Sequence, residues 1–188
     1  MLGVGKNIKI ILSVGHLNRQ KDRLTLVQAI HFLKLNGQFK NTLCLIVGEG
    51  TEYSHVRTMI QTFQLESSIR LLPAASDVEA LYNIAEFCVV SSLYEAGPYV
   101  ILEAASLSKP SVGTSVGFIP SFIGSNEAGI CVAPSNPQLL ADAIFSLLSN
   151  PKKTAELGEK AYERFSQDYT YNRLIENTIS VYQDTLLQ

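Results

Sequence analysis

Short apolar runs alternate along the chain with longer segments in which apolar residues recur every three or four positions. Ile8–Val14 (IKIILSV) is apolar almost throughout, as suits a strand covered on both faces. Leu26, Val27, Ile30 and Leu33 then repeat at helical spacing, with Gly37 just beyond as a stop. The alternation continues with a strand at Leu43–Val47, a helix from about Glu52 to Phe63 and a strand at Ile69–Leu72. Ser76-Asp77-Val78-Glu79 has the Ser-x-x-Glu form of a capping box and starts the next helix near Asp77. A strand at Phe87–Val90, a helix over Val100–Ser106 and strands at Ser111–Thr114 and Gly129–Val132 follow. Beyond Pro137 only helical patterns remain. Leu139, Leu140, Ala143, Ile144, Leu147 and Leu148 form one stripe, and Leu174, Ile175, Thr178, Tyr182 and Leu186 another. The last helix, Tyr171–Leu187, is expected to close the bottom of the domain; the alternative is packing onto a further domain.

Strand–helix alternation with short connections specifies an α/β fold, a Rossmann-like, doubly wound parallel sheet of six strands with helices on both faces. No internal repeat, low-complexity tract or linker divides the chain, so a single domain over residues 1–188 is expected. In such a sheet the ligand crevice lies beyond the carboxyl ends of the strands. Residues 15–21, 48–51, 73–77, 91–99 and 115–120 fall there, and they are the polar and glycine-rich parts of the chain.

Composition narrows the function classes. With 46% hydrophobic and 17% charged residues among 188, the chain is not intrinsically disordered. A net charge of −2 gives no electrostatic reason to expect a nucleic-acid partner. The apolar runs fall short of the roughly 18 residues of a membrane span. The start, MLGVGKNIKI, lacks the pattern of a signal peptide, and a cytoplasmic location is expected. Cys44, Cys88 and Cys131 each sit in an apolar run, at spacings of no metal or disulfide pattern, and read as buried thiols of a reducing compartment. His16, His31 and His55 are too scattered for a shared metal site.

The loop Gly15-His16-Leu17-Asn18-Arg19-Gln20-Lys21 follows a strand and precedes a helix, a place suited to an anion. A solvated basic loop is the plain alternative. It carries neither the Gly-x-Gly-x-x-Gly fingerprint nor a phosphate-binding Gly-x-x-x-x-Gly-Lys, which disfavours NAD-linked and P-loop chemistry. In Ser92–Glu103 (SLYEAGPYVILE), Glu95 and Glu103 bracket a Gly-Pro turn and a helix start. Pro98 suits a first helical turn, and the main-chain N–H groups after it form an anion site. Glu95 lies in the loop and Glu103 about a turn and a half into the helix, so each addresses a different part of one ligand. Taken alone, Glu103 reads as a surface helix residue.

Ser92–Glu103 resembles the Glu-x7-Glu motif of retaining glycosyltransferases of family 4, in a Gly-Pro variant of its more common Gly-Phe-Gly turn. Val14-Gly15-His16-Leu17 with Lys21 resembles that family's first donor loop, and Ile46-Val47-Gly48-Glu49-Gly50 its Gly-x-Gly turn. Leu71-Leu72 before Asp77-Val78, Glu103-Ala104-Ala105 through Lys109-Pro110-Ser111-Val112, and Val116-Gly117 continue the order, over about residues 8–150. The resemblance implies a GT-B architecture of two Rossmann-like domains facing across a cleft. This sequence corresponds to the carboxy-terminal, donor-binding half, with the amino-terminal acceptor domain absent from it.

The resemblance further implies that Lys21 neutralises the diphosphate of a UDP-, GDP- or ADP-sugar and that Glu103 hydrogen-bonds the ribose. Glu95 would contact the donor sugar and support charge development at its anomeric carbon. The main chain of Gly97, Pro98, Tyr99, Val100 and Ile101 would hold sugar hydroxyls and phosphate. The base would lie against the backbone near Leu72, bordered by Gly48 and Gly50. Gly15, His16 and Arg19 belong to the first loop. His16 stands where the family usually has Arg, with Arg19 as the compensating cation, and Asp22 stands where it commonly has glycine. No cofactor and no metal are expected, Asp77-Val78-Glu79 being read as a helix cap. The implied activity is that of a retaining, metal-independent glycosyltransferase of hexosyltransferase type, inactive as this isolated domain. The alternative is a non-catalytic module that binds a sugar nucleotide or an anion.

Overall fold

The computed structural model describes residues 7–74, 77–97, 99–124 and 127–186. Its strands are β1 (Lys9–Val14), β2 (Thr42–Val47), β3 (Ile69–Leu72), β4 (Phe87–Val90), β5 (Ser111–Thr114) and β6 (Gly129–Val132). They form one six-stranded sheet in the order β3-β2-β1-β4-β5-β6, with every pairing parallel. The helices are α1 (Arg23–Leu35), α2 (Tyr53–Thr62), α3 (Val78–Ile84), α4 (Tyr99–Ser106), α5 (Ile119–Ile123), α6 (Pro137–Leu148), α7 (Pro151–Asp168) and α8 (Tyr171–Leu186).

The apolar strands alternate between two buried faces. Ile11, Cys44, Ile46, Phe87 and Val89 share a cluster with Leu26 and Ile30 of α1, Val56 of α2 and Ile144 of α6. Ile10, Leu12, Leu43, Leu45 and Cys88 share another with Tyr82 of α3 and Ala104 of α4. Burial on both faces is why these strands read as continuous apolar runs. A third cluster joins Ile101 and Ala105 of α4 to Ile119 and Phe122 of α5 and Ala161 of α7. Cys44 and Cys88 are buried and Cys131 half-buried, all as free thiols.

The strand order reverses between β1 and β4. Connections leaving β1 and β4 at the carboxyl edge run to opposite sides, which opens a crevice between their loops. Two short side chains start the helices that flank it. Asp22 accepts from Thr25 N at 3.3 Å ahead of α1, and Asp77 accepts from Ala80 N at 3.0 Å ahead of α3. Asp77 is therefore the cap of α3; Ser76, the first residue of the expected capping box, lies outside the described residues, as does Pro98.

Ile119 and Pro120, at the end of the 115–120 segment expected at the crevice, open α5, a short helix that buries Ile119, Phe122 and Ile123. The last helix does not close the bottom of the domain. Leu174 is 61% exposed and Tyr182 67%, because α6 and α7 already cover the core there with Leu140, Ile144 and Leu157. No helix among the described residues is long and apolar enough to cross a membrane.

Candidate functional site

The loop after β1 is sewn to the loops on both sides of it. Toward β2, Gly15 N donates to Val47 O at 3.0 Å, Leu17 N to Glu49 O at 2.8 Å and Glu52 N to Leu17 O at 2.8 Å. Leu17 is fully buried as the anchor. The Gly15 carbonyl passes so close to Gly48, itself at φ +142°, that a side chain at Gly48 would collide with it. Toward β4, Leu93 N donates to Gln20 O at 2.7 Å, Ser91 Oγ to Lys21 O at 2.8 Å and Gln20 Nε2 to Tyr94 O at 3.0 Å. The main chain of Lys21 is thus clamped to the loop that carries Glu95.

The side chains meet as a result. Lys21 Nζ lies 2.5 Å from Glu95 Oε1, and Ser92 Oγ donates to the same oxygen at 2.6 Å. The Glu95 side chain is only 5% exposed. Its other oxygen, Oε2, takes no hydrogen bond among the described residues. Gly117, at φ +51°, backs the Glu95 main chain, and a side chain there would run into the Glu95 carbonyl. Asp22, at φ +42°, occupies the left-handed conformation that favours glycine. Its carboxylate is committed to Thr25, accepting from N and, at 2.7 Å, from Oγ1.

Beneath this pair lies Arg23. The guanidinium is buried, donating from Nη1 to Ser13 Oγ at 2.6 Å and from Nη2 to Val14 O at 2.8 Å. Burial pulls it down to about 10, against the opposing influence of Cys44, Glu95 and Tyr82, so it remains charged at neutral pH.

Glu103 faces a different neighbour. Its Oε2 accepts from the Tyr82 hydroxyl at 2.7 Å, and Tyr82 is otherwise buried. Burial foremost, then Cys88 and the bond to Glu103, push the Tyr82 phenol far above its ordinary range, so it stays a donor. Tyr82 and Glu103 line a hollow of about 400 Å3 with Val78, Glu79 and Ser106. Val78 also lines a second hollow, of about 220 Å3, with Gly15, His16, Gly48, Glu49 and Ala74. Val78, at the amino end of α3, thus borders both hollows.

The remaining expected residues distribute around this rim. The Leu72 carbonyl is taken by Gly48 N at 3.0 Å, and Gly50 packs against Leu17. Tyr99 is exposed, Val100 half-buried and Ile101 buried, so Ile101 offers only its main chain. A side chain at Gly97 would meet nothing within 4 Å. Arg19 is not gathered to Lys21 and Glu95; it lines a separate hollow of about 480 Å3 with Asn18, Asp22, Glu52 and Ser135. Among the described residues no group of three His, Cys, Asp or Glu could hold a metal ion.

A family model described as glycosyl transferases group 1 matches residues 2–164. The chain belongs to that family. It is similar to N-acetyl-alpha-D-glucosaminyl L-malate synthase of Bacillus anthracis, at 24% identity over 98% of this chain and 48% of the relative. Its structure is similar to that of a glycosyltransferase from Rickettsia africae, with a TM-score of 0.87, 25% identity and coverage of 97% of this chain and 49% of that one. It also shares the fold of Anabaena Alr3699/HepE, solved in complex with UDP-glucose, with a TM-score of 0.82, 22% identity and coverage of 93% and 49%. The chain spans about half the length of the relatives it matches, and its sheet corresponds to that of GT-B glycosyltransferases.

The motifs assign no role to four side chains of the site: Ser91, Ser92, Arg23 and Tyr82. The two serines follow β4 directly and are fully buried. Arg23 lies on the same helical stripe as Leu26, Val27 and Ile30, a cation on the buried face of an amphipathic helix, and that spacing is the signal. Tyr82 lies one turn beyond Val78 on α3, a polar-tipped aromatic on the inward face.

Proposed function

We propose that this chain is the donor-binding half of a retaining, metal-independent glycosyltransferase of family 4, transferring a hexose from a nucleoside-diphosphate sugar to an acceptor. The observation that carries the reading is the cluster of Lys21, Glu95 and Ser92 at the reversal of strand order, beside the amino end of α4.

Breaking the anomeric C–O bond sends its electron pair to the diphosphate and leaves an oxocarbenium-like sugar. Lys21, released from Glu95, neutralises the departing diphosphate, and the main-chain N–H groups of the first turn of α4 add aligned dipoles. Glu95, whose Oε2 takes no hydrogen bond among the described residues, faces the charge that develops on the sugar. Glu103 accepts from the ribose. The charge is met by side chains and dipoles, so no metal ion and no cofactor are required. UDP-, GDP- and ADP-sugars are the candidate donors, and the UDP-glucose complex of the Anabaena protein favours UDP as first probe.

The acceptor wall belongs to an amino-terminal GT-B domain, and the exposed apolar face of α8, with Leu174, Ile175 and Tyr182, supports a partner surface on this side. Without that wall the isolated domain turns donor over poorly or not at all. A cytoplasmic setting fits the free thiols. Calorimetric titration of the chain with UDP, GDP and ADP tests the reading. Binding of at least one, lost with Lys21→Ala, supports it. No binding of any, or binding indifferent to Lys21→Ala, contradicts it.

A further inference from the structure

We propose that Tyr82 is a positioning residue that fixes Glu103 for a ribose hydroxyl, and so sets the preference of the site for nucleotides with an intact ribose diol. The inference rests on the donor-site reading of Glu103 and goes beyond it by assigning a role to a residue on another helix.

An exposed glutamate in a helix ordinarily samples several rotamers, and ordering it costs conformational entropy. Glu103 is exposed, yet its carboxylate is caught at 2.7 Å by the hydroxyl of a buried tyrosine on α3. The Tyr82 ring is packed in the cluster that contains Ile10, Leu12 and Ala104, so the hydroxyl is delivered from a rigid base. Asp77 caps the same helix one residue ahead of its start, which fixes α3 against the rim.

The bond is also selective between the two carboxylate oxygens. Oε2 takes Tyr82, while Oε1 takes no hydrogen bond among the described residues. An ionised carboxylate only accepts, so Oε1 requires a ligand that presents O–H or N–H donors. The hollow that Tyr82 and Glu103 line together has about 400 Å3 and shares Val78 with the Gly15–Gly48 hollow. A ribose diol of a nucleotide spanning the two offers donors of that kind; a 2′,3′-dideoxyribose does not. The Tyr82 hydroxyl also lies 3.4 Å from the Val100 carbonyl, one turn ahead of Glu103 on α4. That carbonyl can accept from the hydroxyl in a chain without Glu103, so Glu103→Ala does not strand the Tyr82 hydroxyl.

The test compares UDP with 2′,3′-dideoxy-UDP by calorimetry on the unmodified chain, Tyr82→Phe and Glu103→Ala. The expected result is a loss of about three- to tenfold in UDP affinity for Tyr82→Phe, with dideoxy-UDP binding unchanged. Equal losses for both ligands would mean that Tyr82 only supports the fold, and would overturn the inference. So would unchanged UDP binding in Tyr82→Phe beside a clear loss in Glu103→Ala, which leaves the donor-site reading standing. If Glu103→Ala leaves UDP untouched, or UDP does not bind, the donor-site reading of Glu103 fails and the inference with it. A structure of the unmodified chain with UDP gives a readout free of substitution. Glu103 is expected to keep Tyr82 on Oε2 and take a ribose hydroxyl on Oε1; a ribose elsewhere would overturn the assignment.

Discussion

Lys21 and Glu95 stand 74 positions apart in sequence and 2.5 Å apart in space, joined where the loops after β1 and β4 face each other. The contact follows from topology. β1 and β4 are adjacent strands whose connections diverge, so their carboxyl-end loops share a crevice. Clamping of the Lys21 main chain by Ser91, and of the neighbouring Gln20 carbonyl by Leu93, then leaves the two side chains little choice of partner.

Lys21→Ala leaves a nearly buried carboxylate with Ser92 as its remaining hydrogen-bond partner among the described residues. Stability is expected to fall by about 1–3 kcal/mol in denaturant titration. Adding Glu95→Gln removes the stranded charge, so the double variant should recover much of that loss. Nucleoside diphosphate binding should stay weak in both, since the cation is gone. Recovery of binding in the double variant would show that Lys21 serves only to neutralise Glu95.

Gly97 and Gly117 separate the ligand's demands from the fold's. At Gly97 an added methyl meets no protein atom within 4 Å, so Gly97→Ala should melt within a degree or two of the unmodified chain while weakening nucleotide binding. At Gly117 the backbone is left-handed and the Glu95 carbonyl blocks a side chain. Gly117→Ala is expected to cost about 1–3 kcal/mol in thermal or denaturant unfolding and to displace the Glu95 loop. Opposite ranking of the two variants in melting temperature would contradict this division.

Stability should decline in alkali through the buried thiols. Burial pushes Cys44 up to about 12 and raises Cys88 as well. In the unfolded chain both lose their protons near pH 8.5, whereas in the folded chain they retain them. Unfolding therefore releases protons above that pH. The stabilising contribution is complete below it and is lost as pH rises toward the folded values, with a limiting slope of about 1.4 kcal/mol per pH unit per thiol. Cys44→Ala should lower stability at pH 7 yet flatten its fall between pH 8.5 and 10, as measured by denaturant unfolding at each pH. An unchanged slope would mean that Cys44 is not protected from ionisation.

Much of the sheet is legible from the sequence because its strands are buried on both faces and so contain few polar interruptions. Leu43–Val47 and Phe87–Val90 are examples, and the second reproduces the observed strand to the residue. Helix α5 was hidden by its length: five residues with a proline in the first turn carry too little periodicity to stand out from a loop. The exposed face of α8 illustrates the reverse limit. Its stripe has helical spacing like that of α6, and sequence spacing records amphipathicity but not which surface is left to cover. Among the candidate residues, Lys21 and Glu95 stand out as charged residues in polar, glycine-containing loops, and Glu103 only through the resemblance of Ser92–Glu103 to the Glu-x7-Glu motif. Tyr82 and Arg23 do not, because their roles arise from contacts across elements, Tyr82 reaching from α3 to α4 and Arg23 from α1 back to β1.

The central claim is that the carboxyl rim of this sheet grips a diphosphate between Lys21 and the first turn of α4. A crystal structure of the chain with UDP tests it most directly. A phosphate oxygen is expected within about 3 Å of Lys21 Nζ, in reach of the α4 main-chain N–H groups. A diphosphate seated away from Lys21, with its contact to Glu95 undisturbed, would contradict it.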